Sequence, residues 1–102
     1  MGRGSRPSEA QEAAEADDLR LDRWIWFARF QRSREACADL VRAGRVRLNG
    51  RRVQRPGAAV APGDILTLAL PGRTIVVEVM ALAGRRGGAE EAERLYRLVE
   101  SP

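Results

Sequence analysis

Arg45-Val46-Arg47-Leu48-Asn49-Gly50-Arg51-Arg52-Val53 carries the clearest structural signal in the chain. Apolar and charged residues alternate on both sides of Asn49-Gly50, and that dipeptide between alternating runs is the strongest short-range hairpin signal. A two-residue loop fixes the register: Leu48 faces Arg51, Arg47 faces Arg52 and Val46 faces Val53. Val46, Leu48 and Val53 then share an inner face, while Arg47 and Arg52 stand opposite one another on the outer one. Like charges so placed are destabilising. A phosphate between them would remove the cost. Splaying both side chains into water, for a few tenths of a kcal/mol, accounts for the pair equally well.

Upstream, the period changes from two to that of a helix. Ser33 is placed to cap a helix over Arg34 to Ala43 whose buried stripe is Ala36, Cys37, Leu40 and Val41, and Gly44 stands where a left-handed terminal residue is wanted. Arg34 and Arg42 project about 80° apart and lie roughly 12 Å apart along the axis, on either side of Ala38. Glu35 and Asp39 turn further away. Arg34 lies in the first turn, where free backbone N–H groups and the Ser33 hydroxyl favour an anion. Arg32 precedes the helix and Arg45 follows it. Before it, Asp22 caps an expected helix running to about Phe30, with Leu21, Trp24, Ile25 and Ala28 on one face. Trp26 and Phe30 point the other way, beside Arg23. There they could stack on bases or dock the final element; a chain this small favours docking.

Downstream, Pro56-Gly57 breaks the second strand, and Ala61-Pro62-Gly63-Asp64 reads as a type II turn. Two longer strands follow, Ile65–Leu70 and Thr74–Leu82. Gly84-Arg85-Arg86-Gly87-Gly88 is a joint, and a last helix over about Ala89 to Val99 offers Ala92, Leu95, Tyr96 and Val99 for docking. The expected class is α+β: two helices, a small four-stranded, mostly antiparallel sheet and a C-terminal helix. Residues 1–18 are Gly, Ser, Ala and acidic residues with almost nothing apolar to bury, so a disordered acidic tail is expected there. The domain then covers 19–82, and 83–102 forms the joint and docking helix.

The net charge of +4 is unevenly spread. Residues 19–55 hold eleven arginines against Asp22, Glu35 and Asp39, a local charge of +8, while residues 1–18 carry −3. A GC-rich genome explains arginine in place of lysine, but not the gathering of arginines in one segment. Their concentration on one supersecondary unit points to a polyanionic partner, nucleic acid above all.

Several chemistries have no residues to perform them. The chain has no histidine, no lysine and a single cysteine, Cys37. That removes the commonest general base, the Schiff-base nucleophile, an internal disulfide and any cysteine-cluster metal site. No phosphate-binding glycine loop of the usual spacing occurs. No run is long and apolar enough for a bilayer. The expectation is a cytoplasmic, non-enzymatic monomer with no catalytic residue, metal, cofactor, membrane contact or small-molecule substrate.

Arg20-Leu21-Asp22-Arg23, Ser33-Arg34-Glu35-Ala36, Gly44-Arg45-Val46-Arg47-Leu48-Asn49-Gly50 and Pro62-Gly63-Asp64 together resemble the RNA-binding domain of the ribosomal protein S-four type, the alpha-L motif. The resemblance covers about residues 19–70. It implies a grip on structured RNA through Arg20, Arg23, Arg32, Ser33, Arg34, Arg42, Arg45, Arg47 and Asn49, to which the hairpin reading adds Arg52. Trp24-Ile25-Trp26-Phe27-Ala28-Arg29-Phe30, Arg85-Arg86-Gly87-Gly88-Ala89 and Glu91-Ala92-Glu93-Arg94-Leu95-Tyr96 resemble the fifteen-kilodalton heat-shock protein family. The tail-less relatives of Gram-positive ribosome quality control compare equally well. The resemblance implies ribosomal RNA as target, on large ribosomal subunits blocked by nascent chain–tRNA, with tRNA a further partner. A basic adaptor for an acidic protein and a detached specificity subunit of an RNA-modifying enzyme are the alternatives.

Overall fold

The computed structural model describes residues 20–83 and 86–100. Helix α1 (Leu21–Phe27) and helix α2 (Arg34–Arg42) lead into strands β1 (Val46–Leu48), β2 (Arg51–Val53), β3 (Ile65–Leu70) and β4 (Arg73–Val79). A five-residue helix, α3 (Ala89–Glu93), and a fifth strand, β5 (Tyr96–Glu100), complete the order. The expected tail over residues 1–18 lies outside the described residues.

All strands form one antiparallel sheet in the order β2-β1-β3-β4-β5. The hairpin register is the one expected, Val46 opposite Val53, Arg47 opposite Arg52 and Leu48 opposite Arg51. Asn49 and Gly50 both take positive φ, 52° and 88°, as the favoured two-residue turn requires. Period-two burial along β3 and β4 turns Leu66, Leu68, Leu70, Ile75, Val77 and Val79 inward. Against that face pack Leu21, Trp24, Ile25 and Phe27 of α1 with Cys37, Leu40 and Val41 of α2.

The class is α+β, and the C-terminal segment corrects the expectation in detail. The helix foreseen over Ala89 to Val99 stops at Glu93, and the chain continues as β5 beside β4. Without β5, the outer edge of β4 would present unpaired backbone groups over Val76–Val79. A five-residue helix is far too short to be stable on its own terms. Of the expected docking residues, Ala92 and Leu95 are buried and Tyr96 packs on the core, but Val99 is 45% exposed. Strand β4 ends at Val79 rather than Leu82.

Both early helices end in the same way. In α2, Gly44 N–H donates to Val41 O and Arg45 N–H to Leu40 O, with Gly44 at φ +78°. In α1, Arg29 N–H donates to Trp26 O and Phe30 N–H to Ile25 O, with Arg29 at φ +64°. The left-handed cap closes α1 at Phe27, not Phe30. No glycine marks the spot, so the pattern of residues gave no warning.

Candidate nucleic-acid interface

The α1 N-terminus sets the frame. Leu21 N–H donates to Ala58 O at 2.8 Å and Asp22 N–H to Pro56 O at 3.0 Å, so carbonyls of the 56–58 segment cap the helix. Asp22 is therefore not the expected N-cap, and no side chain caps α1. Its carboxylate, 4% exposed at the residue level, instead accepts from Arg20 Nε and Nη2, both at 3.0 Å. Arg20, an expected RNA contact, is engaged in holding that buried carboxylate. Its guanidinium also lies over Gly57, where a Cβ would come within 3.4 Å of Nη1.

Helix α2 starts as the sequence foretells. Ser33 Oγ accepts from Ala36 N–H at 3.0 Å. Its buried stripe is Cys37, Ala38, Leu40 and Val41, with Ala36 only half-buried. Burial, helped by the charge of Asp22, pushes the Cys37 thiol up to about 12, so it is a neutral core residue. Arg34 is exposed in the first turn and Arg32 just before it, and neither has an ion-pair or hydrogen-bond partner among the described residues. Arg42 corrects the expectation that Glu35 and Asp39 turn away from it. Its Nη1 lies 3.1 Å from Asp39 Oδ1 and 3.8 Å from Glu35 Oε2.

The hairpin is tied to the end of α2. Gln54 Nε2 donates to Arg42 O at 3.2 Å, and Ala69 N–H donates to Arg45 O at 2.9 Å. The Arg52 side chain lies across Gly44, where an added Cβ would meet Arg52 Cδ at 3.3 Å. Arg45, Arg47 and Arg52 are exposed, and none meets a carboxylate among the described residues. The structure thus brings Arg32, Arg34, Arg45, Arg47 and Arg52 onto one unit, with no counter-ion among the described residues. Arg51 and Arg55 are exposed in the same segment. Arg51 falls on the same face of β2 as Val53, but at this edge strand only Val53 packs on the core and Arg51 stays in water.

Two expected contacts are occupied otherwise. Arg23 is half-buried, with its guanidinium carbon 5.2 Å from the centre of the Phe27 ring. Asn49 uses its amide within the fold: Nδ2 donates to Asp64 Oδ1 and Oδ1 accepts from Ile65 N–H. The aromatics are also structural. Phe30 packs on Tyr96 with ring centres 4.7 Å apart, as the docking alternative requires. Trp26 meets a different partner from the one expected: Arg86 lies over its ring at 5.1 Å and donates from Nε to Trp26 O.

Among the described residues, no group of three or more His, Cys, Asp or Glu side chains could hold a metal ion, and no helix is long and apolar enough to cross a membrane.

Comparison with known proteins adds sequence and structural likeness to this geometry. The family model described as the S4 domain matches residues 19–66. The heat shock protein 15 homolog of Haemophilus influenzae is 33% identical over 84 residues, which are 82% of this chain and 63% of that protein. Heat shock protein 15 of Escherichia coli K12 is 36% identical over 81 residues, 79% of this chain and 60% of that protein. The solved trimeric structure of Vibrio cholerae heat shock protein 15 superposes with a TM-score of 0.75 at 34% identity, covering 79% of this chain and 81% of that one. The matched region spans 60–63% of the length of those two sequence relatives.

Proposed function

From the premise that the chain belongs to the S4-domain family that includes heat shock protein 15, we propose that it is a cytoplasmic protein that binds structured ribosomal RNA through α2 and the β1–β2 hairpin. One observation carries this reading. Arg32, Arg34, Arg45, Arg47 and Arg52 are exposed on a single braced unit and meet no carboxylate among the described residues. An array of that kind is costly in isolation and is relieved by closely spaced phosphates. Phosphate contacts set position and orientation, and a structured RNA supplies them at fixed spacing. The physiological target we propose is the large ribosomal subunit blocked by nascent chain–tRNA, with tRNA as a further contact and no chemical step of the protein's own.

Sucrose-gradient sedimentation tests the target. The protein moves with large subunits at low salt, is retained better by subunits carrying peptidyl-tRNA, and is stripped by high salt. Arg34→Glu and Arg47→Glu each weaken binding to structured RNA by more than tenfold with the melting temperature almost unchanged. For four to six phosphates neutralised, log K falls against log salt with a slope of about −3 to −5. Salt-independent RNA affinity, or unaltered affinity in both variants, overturns the interface; co-sedimentation with the small subunit overturns only the target. Self-association is read in the same preparations by analytical ultracentrifugation. A monomer on RNA is the state proposed, and a trimer that persists when RNA is bound overturns it.

A further inference from the structure

A cleft of about 270 Å³ opens between the end of α1, the start of β4 and the α3–β5 segment. Phe30 and Tyr96 form its aromatic part, and Arg29, Arg73 and Glu93 supply its charges. The rings pack with centres 4.7 Å apart and an interplanar angle of 52°. Arg29 holds the left-handed terminal position of α1, where glycine would be free of strain, and its Nη1 donates to Gly87 O at 2.9 Å. Arg73 is exposed and has no partner among the described residues. The core needs neither guanidinium.

This set of groups matches one nucleotide. Aromatic faces accept a base of any identity, guanidinium groups take its phosphate, and a carboxylate accepts a base N–H. The cleft has room for one base and its phosphate, not for a helix. It also adjoins the interface: Arg29 and Phe30 line it, and Arg32 and Arg34 follow within the next four residues at the start of α2.

We propose that this cleft receives an unpaired nucleotide of the RNA whose folded part lies on α2 and the hairpin. The inference rests on the RNA-binding reading above and narrows its substrate to structured RNA with an unpaired flank. A free nucleoside monophosphate has the same chemistry, and so the experiment separates the two sources.

Fluorescence anisotropy compares a blunt RNA hairpin with the same hairpin carrying a short single-stranded overhang. The overhang strengthens binding to the unaltered protein by about tenfold. Arg73→Glu abolishes that gain and leaves blunt-hairpin affinity within about twofold, since Arg73 lies outside the α2–hairpin surface. Arg29→Gly, which relaxes the backbone and so keeps the fold, reduces the gain as well. Equal affinity of the unaltered protein for both RNAs overturns the proposal, and it does so even if GMP alone shifts the Tyr96 resonances, because the cleft then serves a free nucleotide. An overhang gain that survives in both variants overturns it too, as does self-association that Arg73→Glu abolishes while the gain remains. Arg34→Glu distinguishes the two readings. It weakens both RNAs alike if the interface is right, and unchanged affinity for the blunt hairpin condemns the interface, not the cleft.

Discussion

Asn49 and Asp64, fifteen residues apart, are locked together at the tip of the basic hairpin: Asn49 Nδ2 donates to Asp64 Oδ1 at 3.1 Å. Three more bonds complete the clamp. Ile65 N–H donates to Asn49 Oδ1 at 2.9 Å, Asn49 N–H donates to Ile65 O at 2.7 Å, and Ala61 N–H donates to Asp64 Oδ2 at 2.9 Å. Asp64 is only 2% exposed, and Asn49 Nδ2 and Ala61 N–H are among the donors that offset the burial of its carboxylate. The clamp fixes the two-residue turn to the start of β3, and with it the direction in which Arg47 and Arg52 point.

Asn49→Gly separates the amide from the backbone conformation, because glycine tolerates the φ of +52° at this position. The variant loses about 1–2 kcal/mol in urea denaturation. Asn49→Ala loses more, since alanine resists the left-handed region. RNA affinity falls less in Asn49→Gly than in Arg47→Glu, as befits a positioning residue.

Arg20 behaves unlike the arginines of the interface. Arg20→Ala leaves the buried Asp22 carboxylate without its bidentate partner and lowers stability by about 1.5–3 kcal/mol in chemical denaturation. Asp22→Ala is destabilising by a similar amount. The double variant loses less than the two single losses together, which reports the coupling directly.

Trp24 is fully buried, and its Nε1 donates to Ala81 O at 2.9 Å, so it pins the segment after β4 to α1. Trp24→Ala costs about 3–5 kcal/mol. Trp24→Phe keeps most of the packing and leaves the Ala81 carbonyl unsatisfied, for a loss of about 1–3 kcal/mol. Thermal and urea unfolding both read the difference.

Cys37 gives stability a dependence on alkaline pH. Its thiol stays protonated in the native state up to about 12, against 9.0 for a freely exposed thiol, because it is buried. Between those values the native state holds a proton that the unfolded chain releases. Stability therefore falls as pH rises above about 9, by about 1.4 kcal/mol per pH unit from this group. Cys37→Ala flattens that part of the curve. In the unaltered native protein at pH 9, an alkylating reagent labels Cys37 only as fast as the chain opens.

Features written in short-range code were legible from residue order alone. Asn49-Gly50 set the hairpin register to the residue, Ser33 set the start of α2, Gly44 its end, and Pro62-Gly63 the turn into β3. Each depends on backbone dihedrals or on bonds spanning a few residues, which local residue types dictate. The gathering of arginines between residues 19 and 55 was equally legible, since charge needs no fold to be counted. Which of those arginines remain available depends on contacts that form once the chain is folded. Arg20, Arg23 and Arg42 meet Asp22, Phe27 and Asp39, while Arg32, Arg34, Arg45, Arg47 and Arg52 meet no carboxylate among the described residues. The last segment was decided the same way. Ala92, Leu95, Tyr96 and Val99 satisfy a helical period, yet residues 96–100 form a strand, because the open edge of β4 offers backbone hydrogen bonds that a docked helix could not supply.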